Sequence, residues 1–346
     1  MISLGLMFGG RSAEHDVSVA SARSLYRTLD RERYAITLIG ITRDGGWVRR
    51  LDGVAVEPVA LTPDPAGPGL LVGEERRPVP LDVVFTVLHG PFGEDGTVQG
   101  LFELAGIAYT GSGVAASAAA MDKELMKRLF TAAGLPQVDY LVLRELGDET
   151  AAVAEVEAAL DYPMFVKPAN LGSSVGITKA HDPGELVESL RLAFRYDRKV
   201  LVEAFADGRE VECGVLGNER PEASVVGEVL PVNEFYDYES KYTEGMMSFA
   251  IPAALPAEQA EEVRRLAVAA FQACDCAGFA RCDFFADRDG GRVVVNEINT
   301  TPGLTDMSGF PKLWGASGVP YGALADRIIA LALERQRAKA ALLTSQ

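Results

Sequence analysis

Cationic side chains are in short supply in this sequence. It carries 33 lysines and arginines against 49 aspartates and glutamates, a formal net charge of −16 at pH 7. Such an excess repels a polyanion over most of a surface, which argues against a nucleic-acid partner. A polyphosphate ligand would need local cations or a divalent ion, so lysines in apolar or glycine-rich settings carry weight. Cysteine is scarce as well, with Cys213, Cys274, Cys276 and Cys282 alone. A single residue separates Cys274 from Cys276, which is not a zinc-knuckle spacing, and His15, His89 and His181 are scattered. Buried free thiols are expected rather than a zinc site. Long apolar runs are missing, since none approaches the ~18 residues of a membrane span. The opening MISLGLMFGG has no basic segment and reads as a first strand, not a secretory signal. The expectation is a cytoplasmic protein with no membrane partner. Two nucleotide signatures are absent too. The first turn lacks GxGxxG, and no GxxxxGK[ST] follows any strand.

What is present is a long chain with 48% apolar residues. Its 346 residues exceed one ordinary core, so two or three domains are expected. Residues 2–8 form an apolar run closed by Gly9-Gly10, with helical periodicity from about Asp16 to Leu29. A strand, a glycine turn and a helix start make a ligand-approach site in α/β folds. Glu14 and His15 sit in that turn. Glu14 reads either as a solvated cap or as a receptor for a substrate ammonium group. Tyr34 to Thr42 reads as a strand, and the proline- and glycine-rich residues 58–80 as loop. Leu81 to Leu88 is an apolar strand ending in His89-Gly90, so His89 either caps the loop or serves a site. A helix from about Asp95 completes an alternating α/β segment.

Met121 to Gly134 reads as one helix with Lys123 in its first turn. A cation there opposes the helix dipole and suits a nearby anion. Strands near 138–143 and 162–167 bracket a helix at about 149–160, and Lys167 ends the second strand. Gly172-Ser173-Ser174-Val175-Gly176 follows, a loop whose backbone N–H groups can cradle phosphate oxygens. A helix at 182–194 and the strand KVLVEAF come next. Glu203 and Glu210 near the end of that strand could grip an adenine amine or ribose hydroxyls, or could simply be solvated. Strands at 211–217 and 223–230 form a sheet. Residues 232–251 are long and irregular, a length that is uncommon unless functional, with Lys241-Tyr242 at the centre. They read as a closing lid. Amphipathic residues 257–273 and 321–339 are helices.

The stretch ARCDFFADRDGGRVVVNEINTTPG, from Ala280 to Gly303, organises the rest. Its turn residues, Asp287 to Gly291, tolerate the left-handed geometry a hairpin needs. Side chains alternate along a strand, so Arg281 and Asp283 share a face, as do Glu297 and Asn299. Folding the hairpin brings a guanidinium beside two carboxylates and an amide oxygen. Those oxygens suit Mg²⁺ carrying substrate phosphates. The arginine suits a phosphate or a developing oxyanion.

FGGRSAEHDVS, LHGPFGEDGTVQG, YTGSG, VKPANLGSSVG, YDYESKY, ARCDFF and NEINTTPG occur in that order. Together they resemble the ATP-grasp superfamily and, within it, the D-alanine–D-alanine ligases, over nearly the whole chain. The resemblance implies a three-domain α/β fold. An N-terminal parallel α/β substrate domain at 1–112 precedes a central ATP-grasp subdomain at 113–206. A C-terminal subdomain at 207–346 carries the lid and metal site, and the nucleotide clasp is α+β. Lys123, Lys167, Ser173, Ser174 and Lys241 are then expected at the nucleotide phosphates. Glu203 and Glu210 are expected at adenine and ribose, with Phe205 beside the base. Asp283, Glu297 and Asn299 are the implied ligands of two Mg²⁺ or Mn²⁺ ions. Arg281 and the N–H of Gly303 correspond to the oxyanion hole. Glu14, with His89 close by, corresponds to the site for the first D-alanine, and Ser308 to that for the second. Ser173 and Tyr242 would link Glu14 to the lid. The implied partners are ATP, D-alanine and a second copy of the chain as a homodimer.

The intact KY pair at the lid favours D-alanine as second substrate over D-lactate. Gly309 stands where many family members carry a larger apolar residue, which leaves the shape of the second-substrate pocket, and D-serine as a secondary substrate, open. A ligase of another amino or hydroxy acid is the nearest rival. A regulatory protein with dead chemistry would have lost Arg281, Glu297 or Asn299, and all are present.

Overall fold

The computed structural model describes residues 1–51, 55–172, 174–231 and 247–342. Strand β1 (Ile2–Gly9) runs through the first core and ends at a glycine turn. Gly9 has φ +94°, and a Cβ there would lie 2.1 Å from the Ile41 carbonyl oxygen, so only glycine fits. Helix α1 (His15–Thr28) follows. Its buried Ser18 hydroxyl accepts from Gly9 N–H at 2.8 Å and donates to the Val87 carbonyl at 2.6 Å, fixing the turn against two strand ends. Then come β2 (Tyr34–Ile41), β3 (Trp47–Leu51), β4 (Ala55–Thr62), β5 (Gly69–Val72), β6 (Arg77–Pro80) and β7 (Val83–Thr86). Helix α2 (Thr97–Ala105) and β8 (Ala108–Tyr109) complete the unit. The eight strands are ordered β6-β5-β4-β3-β2-β1-β7-β8. The β2-β1-β7-β8 half is parallel and the rest antiparallel.

Residues 58–80 are therefore not loop, as their composition suggests, but most of three strands. Proline removes a ladder donor, yet Pro78 and Pro80 lie on β6, the edge strand, where a donor can be spared.

The second unit starts with α3 (Val114–Met121) and α4 (Lys123–Ala132). The sequence suggests one helix from Met121 to Gly134, but Asp122 interrupts it. Its extended backbone ends α3, and its carboxylate caps α4 by accepting from the N–H groups of Glu124 and Leu125. Strands β9 (Tyr140–Leu143), β10 (Met164–Pro168), β11 (Thr178–Ala180) and β12 (Val200–Ala204) form an antiparallel sheet ordered β11-β10-β12-β9. Helices α5 (Glu149–Glu157) and α6 (Pro183–Ala193) cover it through Val156, Leu186 and Leu190.

Strands β13 (Arg209–Gly217), β14 (Glu222–Pro231) and β15 (Met247–Ala250) begin the third sheet. Helix α7 (Ala257–Ala273) crosses it, and β16 (Gly278–Ala286) and β17 (Val293–Asn299) complete the order β15-β14-β13-β16-β17. Val263, Leu266, Ala267, Ala270 and Phe271 of α7 pack on Val211, Cys213, Cys282 and Phe284. The chain closes with α8 (Gly309–Ala316) and α9 (Tyr321–Ala340). Leu324, Ala325, Ile328 and Ile329 of α9 join the core of β1, α1 and β7, far back in sequence.

Candidate active site

The hairpin forms as its alternation predicts. Arg281 lies opposite Asn299 and Asp283 opposite Glu297, with an irregularity between Asp283 and Phe284. Cys282 and Phe284, on the other face, are fully buried in the third core. The residues between them consequently point the opposite way. Arg281 holds Asp283 with a two-pronged contact, 2.7 Å from Nε and 2.6 Å from a terminal nitrogen. Glu212, on β13 opposite Asp283, is 3.4 Å from the same Nε. Asn299 accepts from Thr301 N–H at 2.9 Å. Hard oxygens of two carboxylates and one amide thus line one row. That donor set fits a divalent ion carrying phosphate, once Asp283 exchanges its arginine. Among the described residues no three His, Cys, Asp or Glu side chains converge as a cage on their own.

The nucleotide candidates gather around the second sheet, on its strands, on α4 and at the start of β13. Lys167, at the end of β10, donates to Glu203 on β12 at 2.7 Å and reaches Asn296 of β17 at 3.4 Å. That contact places Lys167 beside the carboxylates of the β16–β17 hairpin. Glu203 is almost fully buried, and its other oxygen lies 3.3 Å from Lys127. Burial alone would raise the Glu203 pKa, but Lys127 and Lys167 together push it down to about 2. Lys123 is buried too, and donates to the Leu171 carbonyl at 2.6 Å, at the mouth of the glycine–serine loop. Ser174 in that loop has φ +57°, a left-handed backbone that a non-glycine residue rarely adopts. Phe205 is an exposed ring, 6.3 Å from Phe165, with the Lys179 ammonium 4.4 Å above it. Glu210 lies on β13 opposite Phe285, and its charge helps hold the Lys167 proton.

Glu14 precedes α1, and its carboxylate lies 3.1 Å from where a Cβ on Gly90 would stand and 3.4 Å from one on Gly172. The first turn, the His89 loop and the glycine–serine loop therefore meet at this carboxylate. His89 is buried, 3.4 Å from Glu94. Burial would lower its pKa, but the Glu94 contact and charge, with Glu14 beyond, raise it above the ordinary value. On the far side, Gly303 lies against Ser308, whose hydroxyl would be 2.9 Å from a Cβ at that glycine. Ser308 also bonds the Thr305 hydroxyl at 2.7 Å. Ser173, Lys241 and Tyr242 lie outside the described residues.

Sequence reasoning missed Lys127, Glu212 and Asn296. Lys127 is four residues beyond Lys123 on one helix face, and Glu212 is two beyond Glu210 on one strand face. Both spacings were visible.

A clasp of two antiparallel sheets, with buried lysines from β10 and α4 on one side and a carboxylate hairpin on the other, is that of a ligase of the ATP-grasp fold. Models of the D-ala D-ala ligase N-terminus and C-terminus match residues 3–112 and 129–330. The D-alanine–D-alanine ligase of Acetivibrio thermocellus is 47% identical, over 95% of this chain and 95% of its own length. That of Thermoanaerobacter sp. strain X514 is 48% identical, over 97% and 98%. Among solved structures, the VanG D-Ala:D-Ser ligase from Enterococcus faecalis has a TM-score of 0.88 at 36% identity, covering 96% of this chain and 99% of that one. The D-alanine-D-alanine ligase from Coxiella burnetii has 0.87 at 33% identity, covering 98% and 96%. The chain belongs to the D-alanine–D-alanine ligase family. It is an ATP-dependent ligase of D-alanine in cell-wall synthesis.

Proposed function

We propose that the ligation runs through an acyl phosphate and that the residues assembled above divide the work. A carboxylate oxygen of the first D-alanine attacks the γ-phosphorus of ATP, and the bond to the β-phosphate oxygen breaks to give ADP. The amine of the second D-alanine then attacks the acyl carbon. It loses a proton as phosphate leaves with the bonding pair, and D-alanyl-D-alanine remains. The first step brings like charges together, so catalysis is mainly positioning and electrostatics. Lys123 and Lys167 bind the phosphates, with Ser173, Ser174 and Lys241 completing the cradle. Glu203 and Glu210 take the adenine amine and ribose hydroxyls, and Phe205 flanks the base. Asp283, Glu297 and Asn299 would hold two Mg²⁺ or Mn²⁺ ions, which supply neutralisation of the triphosphate. Arg281 and the Gly303 N–H receive the tetrahedral oxyanion. Glu14, beside His89, binds the ammonium of the first D-alanine, and Ser308 the carboxylate of the second. Ser173 and Tyr242 tie Glu14 to the lid and keep water from the intermediate.

The observation that carries this reading is the Lys167 ammonium, which touches Glu203 on one side and Asn296 of the hairpin on the other. One triphosphate can span both. Phosphate release from ATP, with the dipeptide identified by mass, tests it. D-Alanine should support turnover and L-alanine should not. Release that is indifferent to D-alanine would overturn the reading. D-Serine offered as second substrate tests acceptor selectivity; beside Gly309 the space is filled by Glu212 and the Phe249 ring, so the glycine itself does not widen the site. A homodimer in the cytoplasm belongs to the same reading, and sedimentation equilibrium tests the dimer.

A further inference from the structure

Lys127 has no part in the chemistry just described, yet it is among the most deeply buried cations of the chain, with its side chain 1% exposed. It lies one helical turn beyond Lys123 on α4. Its ammonium is 3.3 Å from Glu203 and 5.2 Å from the centre of the Tyr140 ring. Glu203 sits on β12 between Phe165 of β10 and Tyr140 of β9. It thus presents one oxygen to Lys127 and the other to Lys167. A buried carboxylate stays ionised only beside a cation. Lys167 cannot serve Glu203 and a triphosphate equally. Lys127 comes from a different element and has no other acceptor among the described residues.

We propose that Lys127 is a positioning residue for adenine recognition, holding Glu203 ionised and aimed while Lys167 turns to the phosphates. This rests on the reading of Glu203 as the partner of the base amine. Two lysines on one carboxylate then have distinct tasks: Lys167 exchanges it for substrate, and Lys127 never lets it go.

Steady-state kinetics of K127M, E203Q and E203Q/K127M test this, with ATP or GTP varied at saturating D-alanine. K127M should raise the ATP KM by about ten- to a hundredfold, the worth of a charged hydrogen bond, and erode the preference for ATP over GTP. Its kcat and D-alanine KM should stay near those of the parent, whereas a merely structural lysine would move all three. Because Lys127 acts through Glu203, the double variant should be no worse than E203Q alone. An unchanged ATP KM in K127M, a loss spread over kcat and both KM values, or additive losses in the double variant would overturn the proposal. E203Q with the parent's KM and selectivity would instead remove the adenine reading of Glu203. E203Q impaired beside an unimpaired K127M would remove the role of Lys127 alone. Should K127M fail to fold, the double variant, which neutralises both groups, is compared with E203Q and decides.

Discussion

Glu203 shows how far a single residue can depart from its solution chemistry. Its carboxyl lies at about 2 in the folded chain, against 4.5 for an ordinary glutamate. The folded value is the lower one, so on acidification the unfolded chain takes up the proton first. The stability this group supplies is whole above 4.5 and is lost as the pH falls through about 2. Urea unfolding at stepped pH should show the parent's lead over E203Q narrowing across that window. The four thiols shift the other way. Burial pushes Cys213 and Cys276 up to about 12 and raises Cys274 and Cys282 as well. A thiolate reagent should therefore find no reactive cysteine in the native protein and four after unfolding. At the hairpin, Glu297→Ala should cut ADP release by more than about a hundredfold while leaving the unfolding midpoint near that of the parent. Full activity would remove the metal assignment. At this scale the sequence was readable wherever a polar residue stood at regular spacing against apolar neighbours, as Asp283 and Glu297 do. It was less so for Lys127, because a lysine on a helix is ordinarily solvated, and only the fold shows this one facing inward.

At the scale of elements, the β16–β17 hairpin was the most legible part of the chain, since turn chemistry and alternation both mark it. The strands between 58 and 80 were hidden because proline reads against a strand, and whether it is tolerated, as for Pro78 and Pro80 on the edge strand β6, depends on which neighbour is missing. The break at Asp122 was hidden because capping and helix interior differ by one backbone angle. Gly309 also belongs here. A Cβ at this position would lie 2.7 Å from Glu212 and 3.0 Å from the Phe249 ring. The glycine therefore lets α8 close on Glu212, which in turn braces Arg281. Gly309→Ala should destabilise the protein by about 1–3 kcal/mol through overpacking. It should also lower kcat through Arg281, while the ATP KM changes little. A variant with the parent's kcat and midpoint would show that the helix gives way freely. If Tyr242 closes a lid as proposed, Tyr242→Phe should raise ATP hydrolysis uncoupled from dipeptide formation, measured as the ratio of phosphate to product.

Across the whole molecule, the strands at 211–217 and 223–230 were legible as one sheet and the three-domain plan came from the family resemblance, but the sharing of cores between distant segments had no sign in the sequence. Pairings between distant segments leave no local mark. Helix α9 is the clearest instance. Its Asp326 bonds the Tyr34 hydroxyl at 2.7 Å, its Arg335 stacks 4.3 Å over the Tyr109 ring, and its Gln336 donates to the Gly106 carbonyl at 3.0 Å. Residues 1–112 alone should therefore lack a stable fold, and circular dichroism of that fragment with and without a peptide of residues 319–342 would test this.

The same helix has a temporal side. On the ribosome, the first sheet emerges more than two hundred residues before the piece that seals its apolar flank. At about 5–20 residues per second, that flank stays open for roughly ten to forty seconds. A nascent chain of this kind offers chaperones a long, sticky interval that ends only when α9 has emerged.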